Sequence, residues 1–282
     1  MGMKENSIGN LMDHFSEWQK EQGKADSTIK TYVGVLEKFK LWLDKSNKEF
    51  DQISKNDVQQ YMDYLEAQKK NAGTIEKYLA AISVFSRFIG KSEIILDIQC
   101  KEKSKENEVP ESLKKHEEKL LLTEVKSDQN LRNIAIVYTL LYTGIRISEL
   151  CALNVSDVKI DKDQKILLIK DKRGKIERFI PLSQEASTHL KNYIDSLDMI
   201  EDALFVSNVN KRISTRAVQY MLQKYDVHPH KLRHTFCQKL IDKGIDIHTV
   251  AKLAGHKDVN VTKRYANNLE ANLEFAIDKA FS

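Results

Sequence analysis

The sequence predicts a mainly α protein of two domains, an N-terminal four-helix bundle and a larger, mostly helical domain carrying one small antiparallel β-sheet. Three observations carry this expectation. At 282 residues the chain exceeds one compact small domain and fits two of ordinary size. With only 3 Pro and 10 Gly, helical periodicity is seldom interrupted. One pair of strand-like runs, KILLIK and IERFIPL, flanks the turn DKRGK, whose Gly174 supplies a permissive backbone.

In chain order, the first ninety residues read as four amphipathic helices. Apolar residues recur at helical spacing in Ile8, Leu11, Met12, Phe15 and Trp18, and again in Ile29, Val33, Leu36, Phe39 and Leu43. A shorter set is Val58, Met62 and Leu65, followed by Ile75, Leu79, Ile82, Phe85 and Ile89. Ser27, Asn56 and Thr74 are of the type that caps helix starts. This bundle is assigned to residues 1–95, and these apolar residues to its core.

Polar and charged residues dominate from about Lys101, so residues 96–115 are expected to form a charged linker with Pro110 near its end. The second domain is assigned to 116–282. Ile134, Val137, Tyr138 and Leu141 form one helical face ending at the Thr143-Gly144 break, and the hairpin follows. Further helices are expected at 183–196, 214–225, 231–242, 246–254 and 258–268. A last helix keeps a narrow apolar stripe, Leu269, Leu273, Ile277 and Ala280.

Hydrophobic residues make up 41% of the chain, enough for real cores. Lys+Arg number 45 against Asp+Glu 41, a net charge of +4, which permits nucleic-acid binding without demanding it. No run of about 18 apolar residues predicts a membrane span, and the start MGMKENSIGN lacks a signal pattern. The 3 cysteines (Cys100, Cys151, Cys237) are odd in number and widely spread, which suits reduced thiols in a cytoplasm.

Taken singly, the polar residues of the second domain have ordinary explanations. Arg146 follows a glycine turn and can pair with Glu149; His230 and Arg233 share a helical face; Tyr265 can be a partly buried tyrosine. Their combination is more specific: an arginine after a glycine turn, a lysine-bearing hairpin tip, H-x-x-R, G-H, and a tyrosine nine residues beyond that histidine. The strings TGIRISEL, HKLRHTF and LAGHKDVNVTKRYA resemble the catalytic domain of the tyrosine recombinase/integrase family, which includes Xer-type recombinases and phage integrases. The resemblance covers roughly Leu120 to Ala266, and the first domain looks like the family's SAM-like core-binding domain.

The resemblance implies a site-specific recombinase that cuts and rejoins DNA through a 3′-phosphotyrosine and exchanges strands through a Holliday junction. Tyr265 would be the nucleophile and His230 its proton acceptor, with a pKa near the working pH. Arg146 and Arg233 would clamp the phosphate, since guanidiniums stay charged and donate in a planar fork. His256 would donate a hydrogen bond to a non-bridging oxygen, Glu149 would orient its neighbours, and His234 would support the fold around Arg233. A hairpin lysine would protonate the leaving 5′-oxygen. Counting back from Pro181 puts Arg173 at the family's place, and a turn one residue longer puts Lys172 there; Lys172 is the expected residue and Lys175 the reserve.

His228, His230, His234 and Cys237 crowd together, but Arg233 lies among them and no second Cys/His pair accompanies them, so zinc is set aside. Neither metal nor nucleotide cofactor is expected, because the phosphotyrosyl bond stores the energy for rejoining. The expected partner is double-stranded DNA with inverted-repeat core sites, with Lys30, Lys77 and Arg216 as candidate contacts. The C-terminal helix packs either into its own domain or, as the resemblance favours, into a neighbour's to build a tetramer. The other readings are a type IB-like topoisomerase and a non-catalytic DNA-binding protein of the same fold. Integrase, dimer resolver and cointegrate resolvase are not separated, although no extra N-terminal arm-binding domain is expected.

Overall fold

The computed structural model describes residues 2–100, 110–162, 164–197, 202–256, 258–263 and 265, with side chains from residue 9 onward. The chain divides into two compact units, residues 1–106 and 107–282. Among the described residues no helix is long and apolar enough to cross a membrane.

The first unit holds helices α1 (Gly2–Glu21), α2 (Asp26–Asp44), α3 (Lys55–Ala67) and α4 (Ala72–Phe88), with short 3-10 turns at Phe50–Gln52 and Ser92–Ile95. The apolar stripes of the four helices meet in one cluster that buries Phe15, Leu36, Phe39, Leu43, Val58, Met62 and Phe85. Phe15 packs edge-on against Phe85, with ring centroids 5.5 Å apart, a favoured aromatic geometry. Ile8 lies outside the residues with described side chains.

The helix starts differ from expectation. The cap of α3 is Ser54, not Asn56: its hydroxyl accepts from the Asp57 N–H and the Asp57 carboxylate accepts from the Ser54 N–H. The cap of α4 is Asn71, not Thr74, whose N–H donates to the Asn71 side chain at 2.7 Å. Helix α2 follows Ala25 with no side-chain cap, so Ser27 sits inside the first turn. A cap satisfies an N–H two or three residues later, so it precedes the positions chosen from the sequence.

The second unit begins with α5 (Lys115–Ser127), earlier than the apolar pattern suggests. Glu117 accepts the Lys114 N–H at 2.6 Å and starts the helix inside the charged stretch. Of the expected linker, residues 101–109 lie outside the described residues. Helix α6 (Leu131–Thr143) is central: every residue from Ile134 to Leu141 is buried, on all faces, as befits a helix inside a core. It packs against α8 (Gln184–Ile194) and α10 (Pro229–Asp242).

In the chain between α6 and α8 come α7 (Ile147–Ala152) and a sheet of three antiparallel strands in the order β1 (Val158–Ile160), β2 (Lys165–Lys170), β3 (Ile176–Pro181). The expected hairpin is β2–β3, with Leu168 opposite Phe179. Strand β1 was not foreseen because three residues are too few to show alternation. Helices α9 (Thr215–Gln223), α11 (Ile247–Ala254) and α12 (Asn260–Lys263) complete the described unit. The helix expected at 258–268 is represented by α12 alone; the rest of it past Tyr265, and the stripe from Leu269 to Ala280, lie outside the described residues.

Candidate active site

The site is organised by the end of α6. Gly144 caps that helix in a left-handed conformation, with φ of 61°, which glycine adopts without steric cost. A Cβ at Gly144 would lie 2.2 Å from the Phe236 ring, so α6 and α10 approach closely only because no side chain intervenes. Two residues on, Arg146 caps α7. Its backbone N–H donates to Glu149 Oε2 at 2.7 Å and its Nη1 to Glu149 Oε1 at 2.9 Å. Nη2 donates to the Gly255 carbonyl. The Arg146 side chain stays 41% exposed.

Arg233, on α10, is buried and donates Nη1 to the Gly144 carbonyl. Burial, and then the nearby positive charge of Arg146, pull its proton affinity below the ordinary arginine value. Residues far apart in sequence thus converge on the Gly144 turn. His256 joins them: it follows the Gly255 cap of α11 and holds its Nδ1 2.7 Å from Thr262 Oγ1. Burial, with the charges of Arg233 and Arg146, pushes the His256 pKa down to about 4.

One member of the cluster was missed. Arg178, on β3, is buried and grips both oxygens of Glu149, Nη1 to Oε1 at 3.0 Å and Nη2 to Oε2 at 2.9 Å. Strand alternation carried the signal: Arg178 is in phase with buried Ile180, so a charged residue occupies a core-facing position. Burial alone would raise the Glu149 pKa, but the hydrogen bonds from Arg178 and the Arg146 backbone hold it below the usual carboxylate value.

Tyr265 is 1% exposed and packs with Phe236, Cys237, Ile241, Val250 and Ala254. Its hydroxyl is hydrogen-bonded to Nδ1 of His234, the residue expected to support the fold or the groups that bind the phosphate. It also bonds the Cys237 thiol, whose pKa burial lifts to about 11. The His230 ring lies 6.3 Å from that of His234. Burial, followed by the neighbouring His230 and Arg233, lowers the His234 pKa to about 4; burial, His228 and Arg233 also lower that of His230.

The hairpin turn is built by Asp171, whose carboxylate accepts the N–H groups of Arg173 at 2.8 Å and Lys175 at 3.0 Å. Lys172 and Lys175 are exposed on this turn. Lys30, Lys77 and Arg216 are exposed on α2, α4 and the first turn of α9. Of the residues considered for zinc, the His228 ring accepts the Lys231 N–H at 3.1 Å as the cap of α10, and His234 and Cys237 meet Tyr265.

Two guanidiniums converging with a histidine on a helical scaffold define a site suited to a phosphate that gains negative charge during reaction. A profile of the phage integrase family matches residues 111–272, and one of the phage integrase N-terminal SAM-like domain matches residues 11–95. The chain belongs to the phage integrase family, the tyrosine recombinases, enzymes that cleave and rejoin DNA strands at specific sites. It is 29% identical to the tyrosine recombinase XerD of Oceanobacillus iheyensis, over 94% of this chain and 95% of that one. It is 26% identical to the TnP I resolvase of Bacillus thuringiensis, over 92% and 96% respectively. In fold it resembles the XerH site-specific recombinase solved in a post-cleavage complex with palindromic difH substrate, with a TM-score of 0.72, 20% identity, and coverage of 92% and 81%.

Proposed function

We propose that Tyr265 performs the strand cleavage of this recombinase. Its phenol oxygen attacks a backbone phosphorus, the bond to the 5′-oxygen breaks, and the strand is held as a 3′-phosphotyrosine until a 5′-hydroxyl reverses the step. Arg146 and Arg233 clamp the non-bridging oxygens and His256 donates to one of them. His230 takes the phenol proton, and Lys172 gives one to the departing 5′-oxygen. The observation that carries this reading is the convergence of Arg146, Arg233 and His256 at the Gly144 turn, close enough for the two arginines to depress the histidine's proton affinity.

A guanidinium has five N–H donors. Arg146 spends two on Glu149 and Gly255 among the described residues, which leaves three for a phosphate. Tyr265 is packed away in the present arrangement, its hydroxyl held by His234 and Cys237. Cleavage therefore requires the phenol to leave this packed setting and reach a phosphate held at the clamp.

The partner is duplex DNA with inverted-repeat core sites, contacted through Lys30, Lys77 and Arg216 among other residues. Four protomers are joined through the C-terminal helix, and the setting is the cytoplasm. The named resolvase relative and the XerH complex with difH support DNA as the partner.

A nicked suicide duplex, which loses its leaving strand after cleavage, tests the assignment. Wild type should accumulate a covalent protein–DNA band and Tyr265→Phe none, while Arg146→Ala should slow its formation by about a hundredfold or more. An adduct formed by Tyr265→Phe, or none formed by wild type on a cognate site, overturns the reading.

A further inference from the structure

Arg178 has no role in the scheme above, yet its placement is unusual. Strand alternation turns it inward on β3, where it is 8% exposed. A guanidinium is retained in such a place only when its donors are satisfied. Arg178 meets that condition by bridging two elements. It holds both oxygens of Glu149 on α7, and its Nε donates to the Leu253 carbonyl at 3.0 Å, near the end of α11. Nη2 also reaches the Ala254 carbonyl at 3.4 Å. A Cβ on Gly255 would lie 2.6 Å from the guanidinium carbon, so the α11 cap rests directly on this side chain.

The two supports joined by Arg178 are those of Arg146 and His256. The Glu149 carboxylate accepts four hydrogen bonds, two from Arg178, one from Arg146 Nη1 and one from the Arg146 backbone. With its lone pairs filled, it has a single orientation and holds Arg146 in one place. The other anchor of Arg146 is the Gly255 carbonyl, in the segment that Arg178 fixes, and His256 follows in the chain.

We propose that Arg178 is a positioning residue for strand cleavage: by locking Glu149 to the carbonyl end of α11, it sets the spacing between the Arg146 guanidinium and the His256 imidazole. The inference rests on the reading of Arg146 and His256 as phosphate-binding groups. It differs from a plain buried ion pair, which would support folding without setting the rate of chemistry.

The test is single-turnover cleavage of the suicide duplex by the full chain at saturating protein, with duplex affinity and thermal unfolding measured on the same samples. Arg178→Met should cut the cleavage rate by about a hundredfold, the loss expected when reacting groups are misplaced by an ångström, while duplex affinity stays near wild type. Arg178→Lys should recover part of the rate, since it keeps the charge but not the fork. In a Glu149→Gln background the further loss on removing Arg178 should be much smaller, because the two act as one unit.

Wild-type cleavage by folded Arg178→Met, or the same fractional loss in both backgrounds, overturns the proposal. So does a loss explained entirely by the unfolded fraction. If Arg178→Met does not fold, Arg178→Lys decides: a folded variant that cleaves at the wild-type rate ends the assignment. An adduct from Tyr265→Phe would instead remove the catalytic reading beneath it, so the two failures are distinguishable.

Discussion

His234 and His256 are both half-buried imidazoles with pKa values pushed down to about 4, by burial first and by neighbouring positive charge second. Both are therefore neutral at neutral pH, able to donate through one ring nitrogen and accept through the other. Their folded values lie below the ordinary 6.5, so the stability they contribute is complete above that pH and lost as the pH falls toward 4. Glu149 adds loss in the same direction at lower pH, because its folded value also lies below the ordinary one. Thermal melts across this range should show a steep decline in acid that His256→Asn makes shallower; an unchanged slope would rule out the neutral-imidazole account. Arg146, Arg233 and His256 were legible in the sequence because each sits in a short string with a glycine or a helical spacing to mark it. Arg178 needed the strand phase to be read as well. The bond from Tyr265 to His234 depends on how the chain beyond α11 brings Tyr265 against α10, which no local pattern encodes.

Gly144, Gly174 and Gly255 all have positive φ, at 61°, 78° and 71°, but their surroundings differ. Nothing lies within 4 Å of a Cβ at Gly174, so Gly174→Ala should cost only the left-handed strain, about 1–2 kcal/mol. At Gly144 the added carbon would meet the Phe236 ring at 2.2 Å, and overpacking should add about 1–3 kcal/mol to that strain. Denaturant unfolding should rank Gly144→Ala well below Gly174→Ala, and equal losses would mean that α6 and α10 separate freely. The long helices and the β2–β3 hairpin were legible because their periods repeat over several turns or residues. The caps, the start of α5 and the three-residue β1 were not, since each rests on one or two polar contacts rather than on periodicity.

At the scale of the whole molecule, the division into a helical bundle and a larger helical unit followed from length and from scarce Pro and Gly. Its DNA contacts could not be read in the same way, because a net charge of +4 says little about where charges gather. Salt supplies the measurement. Duplex affinity should fall linearly on a log–log plot against salt, and each of Lys30→Ala, Lys77→Ala and Arg216→Ala should reduce the slope by about one if that residue neutralises a phosphate. A slope unchanged in all three would place the contacts elsewhere. The saturated Glu149 carboxylate has a consequence for electroneutrality. Arg146, Arg178 and Arg233 bring three positive charges, Glu149 returns one negative, and the imidazoles are neutral, so the cluster carries two positive charges. A resting phosphodiester, with its single negative charge, leaves that cluster half compensated. When the phenol proton has passed to His230, the pentacoordinate phosphorus carries a second negative charge, so the two positive charges of the cluster are matched more closely at the top of the reaction barrier than by the bound substrate.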